Sequence, residues 1–328
     1  MPPRTDVIWL DGRFVPWDEA KVHVLVHGLH YGTSAFEGIR SYKTPHGPAL
    51  FRLEDHLRRL VRSASYLYMT IPYGLDELAD VCKRVVARND LEDAYVRPIA
   101  MYGLGGMNFS FRDNAVHVAV ATWPWGAYLG EDGMRRGIRV KTVTWTKTPA
   151  TAVPSAAKLA GAYVNSSLAF QEAMRAGFDE ALLFNDRGDV AEGTGENLFV
   201  VQDGVLSTPP ASDHIVPGIT RDAVMRIARD RGYDVREASL SLPQVLASDE
   251  VFLTGTAAEV TPVREVDYHP IGVGTAGPVT LELQKAFFAA VRGDTPAYRE
   301  WLAYVRETPS ASDANVRQVS ESVSAHAK

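Results

Sequence analysis

Between Thr148 and Gln171 the chain carries one charged side chain, Lys158, set among Pro154, Ser155, Ala156, Ala157, Leu159, Ala160, Gly161 and Ala162. A run this small and apolar belongs against other parts of the molecule, and the lysine goes where the run goes. Burial disfavours an ammonium and lowers its pKa, which is the condition that a Schiff-base lysine needs. The competing possibility is that the stem packs while the head snorkels to water, and local context by itself favours that one. Lysine is otherwise scarce, with Lys21, Lys43, Lys83, Lys141, Lys147, Lys285 and Lys328 completing the set, while arginine is abundant.

At 328 residues the chain exceeds what one hydrophobic core usually serves, so two domains are expected. Residues 7–10 and 13–17 read as strands around an Asp11-Gly12 turn, an opening hairpin. Apolar residues at helical spacing follow over 53–68 and 75–88, then strand-like runs over 95–102 and 115–122, which makes 1–125 an α+β unit. Residues 126–137, rich in glycine and mixed charge, read as an interdomain connection. Residues 138–306 then form a larger mixed α/β unit, with strands over 138–146, 180–184, 197–201 and 251–254 and helices over 161–175 and 221–231. From 307 to 328 serine, alanine and charge alternate without a period, as in a disordered tail.

Charge and cysteine content narrow the function classes. A net charge of −6 and a pI near 5.9 argue against a surface built to neutralise phosphodiesters, so small molecules are the expected partners and nucleic acid is not. Cys82 is the single cysteine, which rules out an intrachain disulfide and a multi-cysteine zinc cluster and fits a reducing compartment. No stretch has the apolar length of a membrane span or of a signal peptide, and the expectation is a cytoplasmic protein without a membrane partner.

Three further segments could carry chemistry. Residues 191–199 (AEGTGENLF) place Glu192 and Glu196 in a glycine-rich turn that enters an apolar strand. A carboxylate there could keep a pyridine nitrogen protonated, although a hairpin turn with solvated acids explains the residues as well. Val216-Pro217-Gly218-Ile219-Thr220 runs into a helix whose first amides would suit a phosphate, or whose threonine would simply cap it. Thr254-Gly255-Thr256-Ala257-Ala258 follows a strand and could add a hydroxyl and amides to the same anion. His23, His27 and His30 mimic metal-ligand spacing, but they fall in strand or loop and read as ordinary satisfied histidines. Gly103-Leu104-Gly105-Gly106 is an incomplete dinucleotide fingerprint with no helix after it, and Cys82 sits on an apolar helix face as core.

Taken together, these segments resemble the branched-chain aminotransferases of fold type IV, from about Ile8 to about Leu302. The blocks that carry the resemblance are residues 30–40 (HYGTSAFEGIR), 95–98 (YVRP), 123–130 (WPWGAYLG), the Lys158 and Glu192 segments, 217–222 (PGITRD) and 255–263 (GTAAEVTPV). The resemblance implies a two-domain, D-amino acid aminotransferase-like fold and a pyridoxal 5'-phosphate cofactor. In it Lys158 bears the cofactor, Glu192 pairs with the pyridine nitrogen and Tyr163 faces the phenolic oxygen, while Arg59, Ile219, Thr220 and Thr256 hold the phosphate. Tyr31, Phe36, Gly38, Tyr95, Arg97, Trp125, Tyr128, Ala257 and Ala258 would surround the substrate, with Arg97 receiving a distal carboxylate. The implied reaction is amino transfer between leucine, isoleucine or valine and 2-oxoglutarate in branched-chain amino acid biosynthesis, by a homodimer or larger homo-oligomer. Sister activities of the same fold are a D-amino acid or (R)-amine aminotransferase and an aminodeoxychorismate lyase. Residues 105–113 fall where that family has a variable loop, partly supplied by a neighbouring subunit, and there Phe109, Phe111 and Arg112 could alter side-chain preference.

Overall fold

The computed structural model describes residues 3–126 and 130–305. The expected hairpin is present. Asp11 and Gly12 take φ of 47° and 90°, a two-residue turn whose twist matches the flanking strands, and Val7–Leu10 pairs with Arg13–Pro16. These strands extend an eight-stranded sheet whose centre is the long antiparallel pair Ala94–Tyr102 and Val116–Pro124. Side chains alternate across a strand, so Val96 and Ala100 meet Leu57, Leu60, Val81 and Val85 of the helices Leu53–Ser65 and Leu75–Arg88. Tyr95 and Arg97 therefore point to the opposite face. Cys82 lies in that helix-covered core, where burial pushes its thiol up to about 12, a packing residue rather than a nucleophile.

The second sheet has nine strands and mixed pairing. Ile138–Thr146 lies parallel to both Glu180–Phe184 and Glu259–Val266, and the helix Tyr163–Arg175 lies on the crossover between the first two. Val190–Glu192 pairs with Glu180–Phe184 on one side and, through Glu192 and Asn197, with Asn197–Gln202 on the other, which closes the central strands into a ring. Closure places the Glu192 turn at the rim of a rigid body. The helices Ile219–Asp230 and Pro278–Val291 cover the outside of the sheet through Val224, Ile227, Leu283 and Phe287.

That outer core is continuous with the first sheet. Phe51 sits among Tyr42, Phe287 and Trp301 at ring separations of 6.5, 5.5 and 5.8 Å, and burying such a ring is worth about 2–3 kcal/mol. Leu302–Tyr304 pairs antiparallel with Ala49–Phe51, so the chain's last described strand joins the first sheet rather than the 138–306 unit in which the sequence places it. Trp301 and Leu302, which pack in this core, carry the chain back. Residues 126–137 are not wholly irregular either: Gly130–Arg136 is helical, with Glu131 and Asp132 in its first turn and Arg135 and Arg136 in its last, the charge order that a helix dipole favours. His27 and His30, expected in strand or loop, stand on the short helix His27–Tyr31. His27 is satisfied there by Thr33 Oγ1 at 2.7 Å and the Asn108 carbonyl at 2.9 Å. The expected tail, 307–328, lies outside the described residues.

Candidate active site

A cavity of about 430 Å³ opens between the two sheets, and Lys158 reaches into it. The backbone of Lys158 is tied to the first half of the chain: its N–H donates to Ser63 Oγ at 3.0 Å and its carbonyl accepts the Phe36 N–H at 3.2 Å. Close by, the chain passes Gly161 against Gly32, and Gly32 must be glycine. A Cβ on Gly32, whose φ is 66°, would lie 2.6 Å from the Gly161 Cα. The amine does not snorkel to bulk water. Nζ donates to the Tyr163 hydroxyl at 2.6 Å and lies 5.1 Å from the Phe36 ring centre. Burial, and then the nearby Arg59 guanidinium, push the ammonium below its ordinary pKa. Burial, aided by Glu192, raises the Tyr163 phenol, so it stays protonated.

Beside the lysine, Glu192 is 4% exposed and richly partnered. Lys147 Nζ lies 2.7 Å from Oε1, Asn197 Nδ2 donates to Oε2 at 2.9 Å, and the Val216 N–H bridges both oxygens. These three donors fix the carboxylate, whose charge suits a further N–H, as from a pyridinium ring. Burial alone would lower the Lys147 ammonium, but Glu192 overrides it and raises it. The turn of residues 191–199 is thus a hairpin and part of the site at once. Behind it, burial raises Glu180 above its ordinary value, and burial followed by repulsion from Glu180 raises Glu196 well above its own, while the two side chains hydrogen-bond, which favours a shared proton.

At the other side of Lys158 lies an anion cradle. The Ile219–Asp230 helix is capped by Gly218 with no side-chain hydrogen bond, so threonine is not its cap and the first-turn amides remain available. Gly218 is required sterically, because a Cβ there would meet Asn197 Oδ1 at 2.0 Å. Arg59, Ile219, Thr220 and Thr256 line the same cavity, as does Thr254, whose buried hydroxyl has no partner among the described residues. Arg59 spends Nε and Nη2 on Glu37, at 2.6 and 2.9 Å, and Nη1 on the Pro217 carbonyl at 2.8 Å. Two of its five N–H donors are left. A guanidinium, helix amides and hydroxyls around one point suit a phosphate dianion.

The opposite wall is aromatic. Arg97 lies over Phe36, Tyr95 and Trp123 at 4.9, 5.2 and 5.9 Å, donates to the Tyr95 hydroxyl at 3.3 Å, and has no partner for Nε among the described residues. Gly38 makes room, since a Cβ there would sit 1.8 Å from that hydroxyl. Trp125 and Ala257 complete the lining. Two expected substrate residues are not in it. Tyr31 projects outward from the His27–Tyr31 helix, is 42% exposed, and donates to the Met107 carbonyl at 2.9 Å. Ala258 is buried behind the turn, its carbonyl taken by Thr261 Oγ1 at 2.6 Å. Tyr128 lies outside the described residues. Sequence reasoning gave no role to Lys147, Asn197 or Glu37, whereas Thr254 belongs to the turn expected to add a hydroxyl; the scarcity of lysine was the one signal that could have marked Lys147.

Residues 34–266 match the family Amino-transferase class IV. The chain belongs to that family. Among its relatives is the branched-chain-amino-acid aminotransferase of Pseudomonas aeruginosa, 46% identical over 306 residues that make up 93% of this chain and 99% of the relative. That of Escherichia coli K12 is 43% identical, with the same 93% and 99% coverage. Among solved structures, the T.th. branched-chain amino acid aminotransferase with pyridoxamine 5'-phosphate superposes with a TM-score of 0.90 at 50% identity, covering 92% of this chain and 99% of that one.

Proposed function

We propose that this protein transfers the amino group of L-leucine, L-isoleucine or L-valine to 2-oxoglutarate, giving branched-chain 2-oxo acids and L-glutamate, with pyridoxal 5'-phosphate as cofactor. The observation that carries the reading is the lone lysine of an uncharged segment, its amine 2.6 Å from Tyr163 and set between an anion cradle and an aromatic wall. Bound there, the cofactor supplies an aldehyde that accepts the amino group and a protonated ring that draws electrons from the substrate Cα. Lys158, Arg59, Tyr163, Glu192, Ile219, Thr220 and Thr256 are the residues assigned to hold it.

The remaining steps belong to side chains. Lys158 Nζ, made available as a base by its lowered pKa, would take the Cα proton of the amino acid and deliver it to the carbon that carries the cofactor's aldehyde. Tyr163 receives a hydrogen bond from that amine and keeps it aimed. Glu192, fixed by Lys147 at 2.7 Å, would pair with the ring nitrogen and favour its protonated form. Phe36, Tyr95 and Trp125 exclude water and accept an aliphatic side chain, whereas Arg97 meets the distal carboxylate of 2-oxoglutarate.

We assign the protein to the cytoplasm, to branched-chain amino acid biosynthesis and to a homodimer or larger homo-oligomer. Leu29, Tyr31, Met107 and Phe109 are exposed large hydrophobics, and Tyr31 and Phe109 meet edge to face. They support a partner copy covering this face and bringing Tyr31 toward a substrate. The reading treats 1–125 and 138–306 as two domains, with the last strand returned to the first. Purified protein given L-leucine, D-alanine, (R)-1-phenylethylamine or aminodeoxychorismate tests it: glutamate formed from 2-oxoglutarate with L-leucine is expected. Activity confined to the D-amino acid or the amine, or elimination from aminodeoxychorismate, would transfer the protein to a sister activity.

A further inference from the structure

Glu37 stands between two wall residues, Phe36 and Gly38, yet its own carboxyl group faces away from the cavity. It lies between the strands Ser34–Phe36 and Ile39–Tyr42 and is 0% exposed. A carboxylate in that position must be compensated or protonated. The compensation comes from the helix Leu53–Ser65, with the Gly38 N–H adding a longer hydrogen bond to Oε2 at 3.3 Å. Arg59 donates through Nε to Oε1 at 2.6 Å and through Nη2 to Oε2 at 2.9 Å, a side-on fork, and His56 Nδ1 lies 2.8 Å from Oε2. His56 and Arg59 are three residues apart, hence on one helix face.

The protonation states follow from the surroundings. Burial alone would raise the Glu37 carboxyl, but Arg59 and His56 hold it well below the ordinary carboxylate range. Burial pushes His56 below its ordinary value despite Glu37, so the imidazole is neutral. An ionised carboxylate only accepts, and Nδ1 must therefore carry the imidazole hydrogen. Arg59 is the sole full countercharge on Glu37 in this network, and each fixes the other.

Arg59 is also the group with work to do in the cavity. Its side-on edge is occupied by Glu37, Nη1 reaches the Pro217 carbonyl next to the Ile219–Asp230 helix, and two N–H donors remain. A guanidinium is a planar fork whose usefulness to a phosphate depends on the orientation of that plane. Held on one edge only by Pro217, a long arginine would lose rotamer freedom on binding; held on two, it has lost it already.

We propose that Glu37 is the positioning residue of the anion cradle: by occupying the side-on edge of Arg59, with His56 steadying the carboxylate, it fixes the guanidinium plane for the cofactor phosphate. Glu37 touches neither cofactor nor substrate, and it acts on phosphate recognition through Arg59. The inference rests on the cofactor reading above.

The test compares pyridoxal 5'-phosphate with pyridoxal, which lacks the phosphate, by titrating full-length apoprotein and following fluorescence. Glu37→Gln keeps the shape but sets an amide N–H against the arginine. Its affinity for pyridoxal 5'-phosphate should fall about ten- to a hundredfold, as expected for a charged hydrogen bond, with pyridoxal affinity changed by less than about threefold. An unchanged affinity for the phosphorylated cofactor, or an equal loss for both compounds, would overturn the proposal, the second because it indicates general damage. If Glu37→Gln does not fold, Arg59→Ala and Arg59→Ala with Glu37→Gln decide. The double variant should melt higher than Arg59→Ala, which strands a buried carboxylate, and should bind the cofactor equally weakly; a further loss of affinity in the double variant would refute action through Arg59. Wild-type apoprotein that binds neither compound would remove the cofactor reading itself, a failure distinct from these.

Discussion

At the second-sheet end of the cavity Glu192 is already paired with Lys147 at 2.7 Å and accepts from Asn197 at 2.9 Å, and Arg59, which reaches the Pro217 carbonyl there from a helix of the first sheet, is already paired with Glu37 at 2.6 Å. At the first-sheet end Arg97 rests on three rings, reaches one hydroxyl at 3.3 Å, and leaves Nε without a partner among the described residues. Paired groups need no reorganisation when a ligand arrives, so the second end suits one permanent occupant. A cation held by ring faces gives up little when a branched aliphatic chain takes its place beside it and gains much when a carboxylate does. The first end suits two unlike side chains in turn.

Four experiments could break or sharpen this contrast. The largest effect is expected at the junction of the two ends, where Lys158→Ala should lower turnover at least about 10⁴-fold in both half-reactions. A variant retaining a tenth of wild-type turnover would end the assignment of the base. Next, Glu192→Gln leaves Lys147 charged and unpaired at the pre-paired end. Chemical denaturation of the apoprotein should then show a loss of about 3–5 kcal/mol; a loss below about 1 kcal/mol would mean that water reaches the pair freely. At the adaptable end, Arg97→Gln should raise KM for 2-oxoglutarate about ten- to a hundredfold and leave KM for L-leucine within about threefold. Equal changes for both substrates would contradict a wall that treats them separately.

The smallest effect concerns pH. The Glu37 carboxyl is lowered from 4.5 in the folded chain, so its stabilisation is complete above that pH and is lost as pH falls further. The stability of wild-type apoprotein should therefore fall more steeply below pH 4.5 than that of Glu37→Gln. Parallel acid limbs would show that Glu37 is not ionised in the native state.

Much of the site was legible in the sequence because it rests on local exceptions. Lys158 stands out as the only charge in a small-residue run, and Pro217-Gly218 announces a helix start. The parts that escaped depend on tertiary partners. Glu37, flanked by Phe36 and Gly38, carries no local sign that Arg59 of a distant helix will bury it. Lys147 follows a strand and looks solvated until the ring closes Glu192 against it. Strands of three or four residues, such as Ala49–Phe51 and Leu302–Tyr304, are too short to show a period, so the return of the chain to the first sheet was invisible. Tyr31 points out of the single chain, and its expected place beside the substrate depends on an assembly rather than on one copy.

The most direct test of one lysine serving both ends is the visible absorbance of the purified protein loaded with pyridoxal 5'-phosphate, followed through addition of L-leucine and then 2-oxoglutarate. A band that bleaches with L-leucine and returns with 2-oxoglutarate is the expected result. A band indifferent to L-leucine, or one that bleaches and cannot be restored by 2-oxoglutarate, would contradict a single cavity that accepts both substrates.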